Sequence, residues 1–122
     1  MTLTTNFRNQ QRIFAILIGF TSSFSAFAYD PLDCLDDISR ADPEIIVGLA
    51  TKLCSGAWSP EPVKCYIVVS KVDRSVPRGT AIDLCAGSTS AESTLQCYGK
   101  ASERGLNRGL ATTLCGARKQ EK

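Results

Sequence analysis

The sequence contains no histidine. That removes the commonest general base and the usual partner of a serine or cysteine nucleophile. It also removes a principal zinc ligand. No two of its six cysteines lie closer than the eleven residues between Cys54 and Cys65, so there is neither a Cys-x-x-Cys redox pair nor a close-spaced zinc pair. The one glycine-flanked loop, Gly105-Leu106-Asn107-Arg108-Gly109, lacks the lysine and the preceding strand of a phosphate-binding loop. Large aromatics are scarce. All five phenylalanines (Phe7, Phe14, Phe20, Phe24, Phe27) stand before residue 28, and Trp58, Tyr29, Tyr66 and Tyr98 are the whole aromatic stock of residues 28–122. No apolar run reaches the 18 or so residues that a bilayer span requires. These absences point away from metal, redox and nucleophilic chemistry, so no cofactor and no enzyme activity are expected.

What is present begins with an export pattern. Arg8 and Arg12 precede the apolar block Ile13-Phe14-Ala15-Ile16-Leu17-Ile18-Gly19-Phe20, and Ala26-Phe27-Ala28 has the small–x–small form that signal peptidases cut after. Residues 1–28 therefore read as a cleaved signal peptide. Removing 28 of the 122 residues leaves 94, and taking away two arginines and no acid lowers the net charge from +2 to zero. A single small domain without phenylalanine buries a limited fraction of its surface, so something besides an aromatic core must help hold it.

The cysteines fit that need. First cysteines of three units fall at 34, 65 and 97, and second cysteines at 54, 85 and 115, giving steps of 30 to 32 residues. Around each second cysteine the text recurs as Ala50-Thr51-Lys52-Leu53-Cys54, Ala81-Ile82-Asp83-Leu84-Cys85 and Ala111-Thr112-Thr113-Leu114-Cys115. A period near 31 suits a helix–turn–helix unit. The predicted fold is all-α, a small α-solenoid-like array of three disulfide-stapled helical hairpins over 29–57, 58–88 and 89–115. A polar tail over 116–122 is expected to fray.

Local signals place the helices. Asp30-Pro31 offers a cap followed by proline at the first helical position, and Asp42-Pro43-Glu44 offers the same before a second helix. Thr89 with Glu92 three on reads as a capping box. Turn chemistry sits midway between the cysteines of each unit, at Asp42-Pro43, Ser75-Val76-Pro77 and Gly105-Leu106-Asn107. Ile46, Ala50 and Leu53, and again Leu110 and Leu114, have helical apolar spacing. Val63–Ser70 is rich in β-branched residues and alone could pass for a strand, but the matching slot at Leu95–Ala101 is not, so both are expected to be helical.

An even cysteine count in a short exported chain implies a disulfide framework in a periplasmic or extracellular protein. Pairing within units (Cys34–Cys54, Cys65–Cys85, Cys97–Cys115) uses all six by one rule. Pairing between units (Cys54–Cys65, Cys85–Cys97) strands Cys34 and Cys115. The first is preferred. The layout, two helices per unit with one cysteine on each, is similar to that of cysteine-rich helical repeat proteins of the exported Sel1-like kind; the likeness is one of architecture, and it implies no activity.

Carboxylate pairs such as Asp36 with Asp37, or Glu92 with Glu103, read as exposed helix faces and caps. Three aromatics are the candidate binding residues. Trp58, between Ala57 and Ser59-Pro60-Glu61-Pro62, is expected to fold over the junction of the first two units, with partner anchoring as the alternative. Tyr66 and Tyr98 follow matched cysteines and are expected first to pack between neighbouring hairpins. Residues 29–61 hold seven acids against Arg40 and Lys52, net −5, while 62–122 hold ten bases against five acids, net +5. Such opposite ends suit a charged partner or head-to-tail self-association; nucleic acid is not expected for an exported chain of zero net charge, nor a membrane once the leader is cut. The function expected is a non-enzymatic binding or scaffold module. The alternatives are a secreted effector or inhibitor, or a histidine-free small hydrolase.

Overall fold

The computed structural model describes residues 28–117. The signal-peptide expectation falls on residues 1–27 and most of the expected tail on 118–122, outside the described residues. The described residues form six α-helices and no strand: α1 (Pro31–Ala41), α2 (Val47–Cys54), α3 (Glu61–Val72), α4 (Arg78–Cys85), α5 (Ala91–Glu103) and α6 (Arg108–Cys115). The β-branched stretch Val63–Ser70 lies inside α3, where Val63, Cys65, Tyr66 and Val69 face the core. Burial on one helical face outweighs the modest helix propensity of valine and isoleucine.

Each disulfide joins two consecutive helices: Cys34–Cys54 ties α1 to α2, Cys65–Cys85 ties α3 to α4, and Cys97–Cys115 ties α5 to α6. Bonded helices pack on one another, α1 and α5 flank α3, and α2 and α6 flank α4. The core between them is aliphatic and sulfur-rich, with Ile38, Leu53, Val69, Ile82 and Leu84 as its largest fully buried side chains beside five of the cysteines. None of the described helices is long and apolar enough to cross a membrane. Three disulfides accord with folding in an oxidising compartment.

The helix ends show where local signals act and where tertiary contacts override them. Asp30 caps α1 by accepting from the backbone N–H groups of Leu32 and Asp33, and Asp33 returns a bond to the Asp30 N–H. The expected cap on Thr89 is displaced by one residue: Ser90 is the N-cap of α5 and accepts from the Ser93 N–H. Asp42 does not cap α2, which starts at Val47 behind Ile46 with no side-chain cap. It ends α1 instead, and its carboxylate accepts both from the nearby Glu44 N–H at 3.3 Å and from side chains more than twenty positions away.

The apolar spacing in the second helices is also partly misleading. Leu53 and Leu84 are 0% and 1% exposed, whereas the matching Leu114 is 60% exposed, and Leu110 and Ile46 are exposed too. The buried face of α6 is Ala111, Thr112 and Cys115. The cause is position: α2 is followed by α4 and α4 by α6, but no described helix follows α6. Trp58 departs from its expected place as well. It is 68% exposed, and Ala57 beside it takes the buried position at the junction.

Glycine matters at four described turns of two kinds. Gly56 and Gly87, two residues after a second cysteine, and Gly105, after α5, adopt φ of 72°, 79° and 81°, a left-handed conformation that ends a helix without a Cβ penalty. Gly116, expected in the frayed tail, is buried and fixed. Its N–H donates to the Thr112 carbonyl, and a Cβ there would sit 2.9 Å and 3.0 Å from the carbonyl oxygens of Thr112 and Asp83.

Candidate functional site

Apart from Tyr29, the side chains with shifted ionisation are gathered in two copies of one arrangement, each spanning two of the sequence units. In the first, Asp42 at the end of α1 accepts from the Tyr66 hydroxyl of α3 at 2.7 Å. The same carboxylate takes a two-pronged contact from Arg78, the first residue of α4, with Nε at 2.8 Å from Oδ2 and Nη2 at 3.1 Å from Oδ1. In the second, Asp73 at the end of α3 accepts from the Tyr98 hydroxyl of α5 at 3.2 Å. Arg108, the first residue of α6, reaches it with Nε at 2.7 Å and Nη2 at 2.8 Å. Ser75 joins this copy by donating to Asp73 and accepting from Arg108. Planar guanidinium on carboxylate is among the stronger and more directional pairings available to side chains.

Tyr66 and Tyr98 are therefore buried fastening residues. Burial, then the Asp42 carboxylate that its hydroxyl faces, pushes Tyr66 up to about 12. Tyr98 is raised by burial and by Asp73. Tyr29 is raised likewise, by burial and by its 2.8 Å hydroxyl bond to Asp37. The Arg78 hydrogen bonds hold Asp42 below the usual carboxylate range against the opposing effect of its partial burial, and Arg108 does the same for Asp73. Each arginine is shifted upward in return.

The signs give two consequences. A carboxylate depressed in the fold contributes stability above its ordinary value of about 3.9, and that contribution is lost as pH falls through the depressed value. A tyrosine raised in the fold contributes below its ordinary value of about 10, and the contribution is lost as pH rises through the raised value. Because Tyr29, Tyr66 and Tyr98 are the only tyrosines and all three are raised, the folded protein is expected to show clearly less tyrosinate absorbance at pH 10 than the guanidinium-unfolded protein, which should show about half of its full amplitude. Asp42→Asn should bring one of the three down toward the ordinary value. Normal ionisation of all three while folded would refute the arrangement.

Asp42→Ala leaves the buried Tyr66 hydroxyl unpaired and Arg78 with only Glu44 at 3.6 Å. A loss of about 1–2 kcal/mol in urea unfolding is expected, discounted because Arg78 is half exposed. Asp73→Ala should act in the same direction, and Arg104→Ala should cost nothing measurable.

Two further contacts cross between units. Lys52 of α2 meets Asp83 of α4 at 2.7 Å, the same repeat position one unit on. Glu61 at the start of α3 accepts from the Ala91 N–H at the start of α5 at 3.3 Å. Both are exposed or partly exposed and add little to stability by themselves; they mark alignment between helices.

Against these built contacts, the carboxylate pairs singled out from sequence do not converge. Asp37 is taken by Tyr29 and Arg40 while Asp36 is exposed, and Glu92 faces only Gln96 at 3.4 Å. No group of His, Cys, Asp and Glu among the described residues could hold a metal ion. A hollow of about 590 Å³, open to solvent, lies beside the first fastening, between Asp42, Tyr66, Lys71, Arg74 and Arg78. Its most strongly bonded polar groups are already engaged with one another.

No family model, curated protein or solved structure matches the chain. The functional reading therefore rests on its own residues.

The stagger of the fastening residues was visible in the sequence. Aspartate stands eight after the first cysteine in units one and two, at 42 and 73. Tyrosine stands one after it in units two and three, at 66 and 98, and arginine seven before the second cysteine in the same two units, at 78 and 108. An acceptor in all units but the last, with donors in all but the first, is what a contact between consecutive units produces.

Proposed function

We propose that this chain is an exported, non-enzymatic binding or scaffold module: three helical hairpins over 29–57, 58–88 and 89–115, each stapled by its own disulfide and stacked side by side. The observation that carries this reading is the recurrence of the Tyr–Asp–Arg fastening between consecutive units, with the shifted titratable groups spent on holding helices together. An enzyme would be expected to leave such groups free to act on a substrate, whereas Asp42, Tyr66 and Arg78, which line the open hollow, are bonded to one another. Stacked hairpins present an extended, rigid surface, which is how repeat arrays recognise partners. Trp58 adds an exposed aromatic on the connection between the first two units, and aromatics so placed commonly anchor a partner. A secreted effector or inhibitor is the same module with a different target. The hydrolase alternative lacks support in the arrangement of the carboxylates.

The test is capture with the tagged, oxidised protein from periplasm or medium, followed by reconstitution of the complex from purified components. A stoichiometric complex that forms with the oxidised and not with the reduced protein is expected. Turnover of ester, peptide or glycoside substrates, abolished by replacing one carboxylate, would overturn the reading.

A further inference from the structure

We infer that the chain assembles head to tail, the open end formed by α5 and α6 receiving the opposite end, formed by α1 and α2, of a second copy. The inference rests on the stacked-hairpin reading proposed for this chain and names the occupant of its free end. Counted from the cysteines, Leu114 stands in register with Leu53 and Leu84, and Cys97 with Cys34 and Cys65. Those four residues are sealed in the earlier units, whereas Leu114 is exposed and Cys97 half-buried. Cys97, Leu106 and Leu114 line a hollow of about 370 Å³ there, and Leu110, one turn before Leu114, is exposed too. The other end is also apolar. Leu32, Ile46 and Val47 are exposed and Leu35 is half-buried. Leu32 and Leu35 are in register with Val63 and Tyr66, which are buried where α3 meets α1.

The two ends match in charge when the internal register is kept. At the first junction Asp37 and Ala41 of α1 share an open hollow with Lys64 and Ile67 of α3. The same register places Lys100 and Arg104 of one copy against Asp33 and Asp36 of the next. All four are exposed. Glu103 takes the place of Arg40 there, so the α5 side remains net positive. No polar group is stranded at the fastening position either. Gly105 stands where the other units have Asp42 and Asp73, Leu35 where they have Tyr66 and Tyr98, and Val47 where they have Arg78 and Arg108. An aspartate at 105 would meet leucine and valine and be left as an unpaired charge. Glycine gives instead an apolar contact flanked by ion pairs. Without the fastening this junction should be weaker than the internal ones, so monomer prevails in dilute solution. The residues after 117 (Arg118-Lys119-Gln120-Glu121-Lys122) include no apolar side chain to fill the hollow from within the chain.

The experiment is sedimentation of the purified, oxidised exported protein over a concentration series. Oligomers beyond the dimer are expected, because each added copy presents the same two ends again. Added salt should dissociate them by screening the exposed ion pairs. Leu114→Gln and Val47→Gln, at opposite ends, should each raise the dissociation constant about tenfold, a step of about 1.4 kcal/mol. At a concentration where each variant alone is monomeric, an equal mixture should form dimers through the two unaltered ends. Arg104→Asp should weaken assembly, and Asp36→Arg in the same chain should restore it. Val72→Gln, at an exposed apolar position of the middle unit, should change nothing. All the replaced side chains are solvent-exposed, and unchanged circular dichroism would verify folding. A protein that stays monomeric at millimolar concentration would overturn the inference, as would assembly that both end variants leave unchanged. A dimer that grows no further, or one blocked by Leu114→Gln and not by Val47→Gln, would mean that like ends meet and would overturn the head-to-tail pairing. The capture experiment decides the binding module separately.

Discussion

Full reduction of the three disulfides is expected to melt the helices at 37 °C or below, with loss of the far-ultraviolet helical signal. Each bond closes a loop of 18 or 20 residues, a constraint on the unfolded chain of roughly 3 kcal/mol in the loop-entropy picture, less any strain and not simply additive. A domain's entire margin is about 5–15 kcal/mol, and this one has no phenylalanine in its described core. Removing all three constraints should therefore exceed what the aliphatic core retains. Under limiting reductant, Cys97–Cys115 should open first, because Cys97 is half-buried while the other five cysteines are at most 1% exposed. Mass mapping of alkylated thiols reads the order. Helicity that survives complete reduction would show that aliphatic packing suffices.

The second large effect is a contrast between two identical residues at matched positions. Leu84→Ala removes a fully buried side chain on α4, which has a helix packed on each side, and is expected to cost about 2–5 kcal/mol. Leu114→Ala removes the equivalent side chain from α6, where it is largely exposed, and should stay within about 0.5 kcal/mol. Urea denaturation of the two oxidised variants measures both. Equal costs would mean that Leu114 is covered by something beyond the described helices.

The six helices and their stapling were legible because the cysteine period and the Ala-x-x-Leu-Cys text repeat in register with helical spacing. Capping was legible where the cap residue acts on its own helix, as Asp30 does. It failed at Asp42, which shares the Asp-Pro start but bonds Arg78 and Tyr66, 36 and 24 residues away, as well as the Glu44 N–H, while the next helix starts only at Val47. Trp58 failed for a related reason: scarcity of aromatics suggested burial, but the junction is filled by Ala57 and Val63 and leaves the indole outside.

Helical class, three-fold recurrence and cysteine positions were all readable from sequence, since they depend on local periodicity and spacing. Tertiary structure alone decided which recurring residue is core and which is surface. Leu53, Leu84 and Leu114 share one sequence context, and so do Cys34, Cys65 and Cys97. Burial is not a property of that context. It depends on whether another unit lies against it, and the third unit is the one against which no further described helix packs.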